Sequence, residues 1–95
     1  MANKSIQAVI SGKVQGVGFR YFAVHAAQRL GISGTVRNTA AGDVEVNASG
    51  DEAKLTEFIG ELHEGPTAAE VADVRVSWSD NASALAAQPG FHAIS

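Results

Sequence analysis

Ninety-five residues with seven Lys and Arg against ten Asp and Glu carry a formal charge of −3, which argues against a broad nucleic-acid surface, because that affinity is built from many Lys/Arg–phosphate contacts. The chain has no cysteine, so disulfides and thiolate metal sites are excluded. One domain over residues 1–95 is expected, burying roughly 65% of its unfolded surface; no apolar run approaches the ~18 residues of a membrane span and no signal-like segment opens the chain, which points to a cytoplasmic protein.

Residues 5–11 alternate, with Ile6, Ala8 and Ile10 on one face and Gln7, Val9 and Ser11 on the other, the pattern of a first strand. It runs into Gly12-Lys13-Val14-Gln15-Gly16-Val17-Gly18-Phe19-Arg20, a strand-to-helix turn with three glycines and a terminal arginine. Glycine admits left-handed backbone and lets a ligand approach the main chain. Successive amides turned into one concavity form an anion-binding nest, and the free N–H groups at the start of a helix point the same way. Arg20 can close the ring with a planar fork matched to two phosphate oxygens. The run is neither a Walker loop, which ends in Gly-Lys-Ser/Thr, nor a dinucleotide fingerprint, which would need glycine where Tyr21 stands.

Phe22, Ala23, Ala26, Ala27 and Leu30 form a stripe at helical spacing, capped by Gly31. A β-branched second strand is expected over residues 35–39, entered through Gly34. A loop with Gly42 left-handed then leads to a third strand over 44–48 that Gly50 closes. Asp51 caps a second helix whose Leu55, Phe58, Ile59 and Leu62 share one face, and Gly65-Pro66 stops it. Val74, Val76 and Trp78 alternate in a fourth strand over about 71–77. Residues 79–90 read as a long loop, with a short last strand over 91–94. The order β-α-β-β-α-β predicts an α+β, ferredoxin-like split βαβ sandwich: two helices on one face of an antiparallel sheet, strands one and three side by side in its centre.

Neither the glycine run nor residues 35–39 contain Asp, Glu, His, Cys or Ser. A phosphate monoester needs a general acid or a metal to expel its alkoxide. A leaving group that is already a good anion does not, and a carboxylate, whose acid has a pKa near ~4, qualifies. The chemistry therefore points to a mixed carboxylic–phosphoric anhydride attacked by water. Asn38 is the polar candidate to orient that water, since an amide accepts and donates without titrating. The water's proton can pass to the substrate's own phosphoryl oxygen.

These two motifs, with Gly34-Thr35-Val36-Arg37-Asn38-Thr39 as the second, and Gly65-Pro66 ahead of the fourth strand, resemble the acylphosphatase family over about residues 5–76. The first motif is long and specific; the second gains its specificity from its distance behind the first. The resemblance implies a metal-free, cofactor-free hydrolase of acyl phosphates, giving a carboxylate and inorganic phosphate, the latter also an inhibitor. The backbone amides of Gln15, Gly16, Val17, Gly18, Phe19 and Arg20, with the Arg20 side chain, would bind the phosphoryl group, and Asn38 would position the water. A small-molecule acyl phosphate is the expected partner, with no nucleic acid, no membrane and a monomer. Thr35 stands where the family usually has an aromatic residue, Ala41 where it has Asp or Asn, and Ala93 where it has a larger aliphatic.

Blander readings sit beside these. A non-catalytic phosphate-binding regulatory module would use the same cradle without a poised water. An RNA-binding domain of this architecture would need stacking aromatics on the central strands, and none is there. His25, His63 and His92 lack ligand spacing and are expected at the surface. Lys13 and Arg37 read as solvated strand-edge charges able to steer an anion; Phe22, Phe58 and Trp78 read as core, and Thr39 as a support behind Asn38.

Overall fold

The computed structural model describes residues 3–80 and 90–94. In chain order the elements are β1 (Asn3–Lys13), α1 (Phe19–Leu30), β2 (Ser33–Asn38), β3 (Val44–Asp51), α2 (Glu52–Glu64), β4 (Glu70–Ser79) and β5 (Phe91–Ile94). The sheet runs β4-β1-β3-β2-β5. Every neighbouring pair is antiparallel except β2 with β5. The expected split βαβ arrangement is therefore present, with a parallel edge strand that makes the sheet mixed. Most of the 79–90 stretch read as a loop lies outside the described residues.

The register explains the core. Ile6, Ala8 and Ile10 of β1 stand opposite Ala48, Val46 and Val44 of β3, and opposite Trp78, Val76 and Val74 of β4. Val36 of β2 extends the middle row beside Val46. These rows pack against Ala23, Ala26, Ala27 and Leu30 of α1 and Leu55, Phe58 and Leu62 of α2. Period-two strands and period-3.6 helices thus put their apolar residues on facing surfaces.

Four details depart from the sequence reading. β3 continues through Gly50 to Asp51, because its ladder with β1 goes on to Lys4 and Asn3. Phe19 rather than Phe22 is the buried aromatic of α1, since the stripe 19, 23, 26, 27, 30 begins at the first helical residue. Trp78 keeps 44% of its surface exposed: β4 is an edge strand, and its Val74 and Val76 are themselves only half-buried. β4 also carries a bulge against Ser11/Gly12, which brings Val71 opposite Gly12 and so allows both Val71 and Val74 to pack against the core. Asp51 caps α2 as expected, its carboxylate accepting from the Ala53 N–H.

Gly34 shows how closely β2 and β3 approach. Its φ is +146°, and a Cβ there would lie 2.0 Å from the Asn47 carbonyl oxygen. No L side chain fits.

Candidate active site

The site forms where β1 ends. Gly16 and Gly18 both have left-handed φ, 73° and 81°, a conformation that turns successive amides toward a shared concavity. Nothing lies within 4 Å of a Cβ built on either, so glycine is required by the backbone and not by crowding. Gly18 is the N-cap of α1 and brings no side chain to it; no acidic residue occupies the first turn. The helix opens with the Phe22 N–H bonded to the Gly18 carbonyl at 3.0 Å. The N–H groups of Phe19, Arg20 and Tyr21 therefore have no acceptor within the helix, with the positive end of its dipole behind them. α2 differs: Asp51 and Glu52 already supply acceptor and negative charge at its start.

A cavity of about 170 Å³ sits on this turn, lined by Val14, Gly16, Gly18, Phe19, Arg20, Tyr21 and Asn38. Its presence brings the two sequence motifs to one place. Asn38 ends β2 opposite Val44, in the row that continues through Ile10, on the face the helices cover. Arg37, one residue earlier, necessarily points the other way. There it meets Glu45, its direct partner across the hairpin, with Nε to Oε1 at 2.6 Å. Arg37 is thus tied to Glu45 on the opposite face of the sheet; its side chain is solvated as expected, but β2 lies between β3 and β5 and is not an edge strand.

The cations divide in the same way. Lys4 pairs with Glu52 and Asp80, Arg29 with Glu61 and Arg75 with Asp73. Arg20, half-buried at the cavity wall, has no acidic partner among the described residues. An unpaired guanidinium beside free helix N–H groups is a local attraction for an anion in a chain whose total charge is negative.

Gln15 and Val17 alternate away from the cavity. Val17 packs against the core. The Gln15 amide donates from Nε2 to the carbonyl oxygens of both Thr39 and Asp43, each at 2.9 Å. It pins the glycine turn to the β2–β3 turn, and so fixes the cradle relative to Asn38. Nothing in the sequence signalled this clamp beyond a glutamine inside the motif. Thr39 closes that same turn: its N–H donates to Asp43 O, and its Oγ1 accepts from the Asp43 N–H. Behind the cradle, Gly65 at the end of α2 lies against the Phe19 ring and Val71, which gives Gly65-Pro66 a place beneath the start of α1.

Two further wall residues, Val14 and Tyr21, were not among the candidates. Val14 is buried within the turn, and Tyr21 follows Arg20 with 71% of its surface exposed; its adjacency to the arginine was the available signal. Among the described residues, the cavity lining offers no carboxylate, imidazole or thiol. His25, His63 and His92 are exposed, and among the described residues no three His, Cys, Asp or Glu gather as a metal site would require. No described helix is long and apolar enough to cross a membrane.

The family model for acylphosphatase matches residues 6–92, beyond the stretch over which the sequence motifs are evident. An acylphosphatase of Anaeromyxobacter sp. is 53% identical over 70 residues, covering 74% of this chain and 75% of the relative. One of Salinibacter ruber is 47% identical over 82 residues, 86% of each. Among solved structures, the acylphosphatase of Bacillus subtilis superposes with a TM-score of 0.91 at 30% identity, covering 97% of this chain and 99% of that one.

Proposed function

The chain belongs to the acylphosphatase family and hydrolyses acyl phosphates, and from that premise we propose how its residues divide the work. Arg20 and the backbone N–H groups of residues 15–20 bind the phosphoryl group, and Asn38 orients the water that attacks phosphorus. The observation that carries this is the single cavity shared by Gly16, Gly18, Arg20 and Asn38.

The steps follow from the bonds that change. The Asn38 amide holds a water against the phosphorus; the water oxygen forms a new P–O bond while the bond from phosphorus to the acyl oxygen breaks. Both electrons of that bond leave with the carboxylate, and the water's proton moves to a phosphoryl oxygen, giving dihydrogen phosphate. Charge building on the equatorial oxygens meets donors already in place, which lowers the barrier because nothing has to reorient. The departing carboxylate needs no proton, so no acid is required of the protein. The same reading takes residues 1–95 as one catalytic domain, a cytoplasmic monomer acting on small molecules without nucleic acid, metal or cofactor; its support is the acidic balance, the lack of cysteine and the cavity's uncharged lining beyond Arg20.

Two variants separate the roles. Arg20→Gln should lose a factor of about 10²–10³ in kcat/KM, as for removal of one preorganised donor, and should also lose inhibition by inorganic phosphate. Lysine should restore only part, because a point charge lacks the bidentate fork. Asn38→Ala should keep phosphate binding, followed through the amide shifts of Gly16 and Gly18, while kcat collapses. Near-wild-type kcat/KM in the glutamine variant, or loss of phosphate affinity in the alanine variant as complete as in the glutamine one, would refute the division.

A further inference from the structure

Arg20 and Tyr21 wall a second, larger space. A groove of about 510 Å³ runs between α1 and the edge strand β5, lined by Arg20, Tyr21, Val24, Gln28, Phe91, His92 and Ala93. Tyr21, Val24 and Gln28 fall at i, i+3 and i+7, one stripe of the helix. Phe91 and Ala93 are alternate residues of β5, beside Gly34 and Val36 in register. Phe91 is anchored at its base, buried and edge-on to Phe58 at 5.7 Å. Ala93 contributes only a methyl group to the lining.

The two spaces suit the two halves of one substrate. Sites that enclose organic ligands typically span about 300–1,000 Å³; the phosphoryl cavity, at about 170 Å³, falls below that range and the groove lies within it. Asn38 lines the small cavity and not the groove. Water and leaving group stand on opposite sides of phosphorus in an in-line displacement, so a water at Asn38 directs the acyl oxygen away from β2 and toward the wall shared by Arg20 and Tyr21. Beyond Arg20, the described residues lining the groove include no Lys, Arg, Asp or Glu. It offers the Val24, Phe91 and Ala93 surfaces and the exposed Tyr21 ring, on which a flat group can stack.

We propose that this groove between α1 and β5 is the acyl subsite, and that it selects apolar, preferably aromatic, acyl groups over short or anionic ones. The proposal rests on the phosphoryl assignment made above. Gln28 and His92 at its rim supply hydrogen-bonding groups without a fixed cation to attract a distal carboxylate.

Acetyl, benzoyl and succinyl phosphates probe it directly: one short, one flat and apolar, one ending in a carboxylate. Ala93→Trp fills the groove from an exposed strand position that accepts an aromatic residue, and Val24→Thr replaces a methyl by a hydroxyl at similar volume. A missing apolar group in a pocket is worth about 10–200-fold in kcat/KM. For a groove open on one side the low end applies, so the ratio of benzoyl to acetyl turnover should fall about tenfold in Ala93→Trp and by a smaller factor in Val24→Thr. Succinyl phosphate should be a poorer substrate of the wild type than benzoyl phosphate. Far-ultraviolet circular dichroism and the inhibition constant of inorganic phosphate report the fold and the cradle in each variant. A benzoyl-to-acetyl ratio within twofold of wild type in both variants would overturn the acyl subsite while leaving the phosphoryl site standing. A wild type that turns over none of the three would overturn the catalytic reading, and the subsite with it.

Discussion

Replacing Gln15 should loosen the site and the fold together. Its amide makes two hydrogen bonds of 2.9 Å, to Thr39 O and Asp43 O. A neutral hydrogen bond is worth about 0.5–1.5 kcal/mol net, so Gln15→Ala should cost about 1–3 kcal/mol. Neither carbonyl is left orphaned, because Thr39 O also accepts from the Gly42 N–H and Asp43 O from the Thr39 N–H; the desolvation penalty of an unpaired group is therefore not added. For a domain of this size about 2 kcal/mol corresponds to a Tm lowered by roughly 8–16 °C. Gln15→Glu should be worse than alanine at neutral pH, since an ionised carboxylate has no donor and would face two carbonyl oxygens. The sign with pH is then fixed. Those oxygens raise the folded-state pKa of the introduced acid above its unfolded value near ~4.3. The deficit of Gln15→Glu relative to Gln15→Ala is therefore present at neutral pH and shrinks as pH falls through the raised value. Because displacement of about 1 Å between reacting groups can cost 10²-fold, kcat/KM of Gln15→Ala should drop by about 10–100-fold. Thermal melts at neutral pH and near ~4.5, with phosphate release on acetyl phosphate, test the whole chain of reasoning. A Tm within 2 °C of wild type for alanine, or glutamate matching alanine at neutral pH, would refute the clamp.

Glycines with positive φ should respond for different reasons. Gly34→Ala should cost about 2–5 kcal/mol, strain plus a Cβ driven into the Asn47 carbonyl, whereas Gly16→Ala, with open space around its Cβ, should cost about 1–2 kcal/mol from φ alone; urea midpoints separate the two, and equal shifts would refute the distinction. Turnover should survive dialysis against a strong chelator, and kcat should vary little between about pH 5 and 8, where a histidine base would show itself. Among the described residues the cavity's side chains offer a guanidinium, an amide and a phenol as polar groups, and no imidazole or carboxylate to act as a base. A limb near ~6.5 that vanishes in one of the histidine variants would mean that a proton-transfer residue operates outside the cavity wall.

The elements around the site were readable because each rests on local rules. Ile6, Ala8 and Ile10 mark a strand by alternation, Asp51 caps a helix by its side chain, and the glycines at 12, 16 and 18 announce a turn with left-handed backbone. The separation of Asn38 from Arg37 was implicit too: neighbours in a strand face opposite ways, and Arg37 finds Glu45 once the hairpin register is known. The candidate pair Arg20 and Asn38 came from residue chemistry, and the fold sets both on one cavity.

Where packing decided, local pattern was insufficient. Trp78 alternates with Val74 and Val76 as a core residue should, yet exposure is set by what covers an edge strand, and that is a property of the assembled layers. The direction of β5 has no signature in four residues; its parallel pairing with β2 exists because the sheet edge beside Gly34 was open to it. The Gln15 clamp and the groove between α1 and β5 both join residues more than twenty positions apart in sequence. The elements and the glycine turn with Arg20 at its end were legible in the residues, because backbone dihedrals and side-chain functional groups are local properties. Which walls meet, how the turn is held and what lines the groove beside Arg20 came only from the assembled fold, because those depend on distances between segments that no local rule encodes.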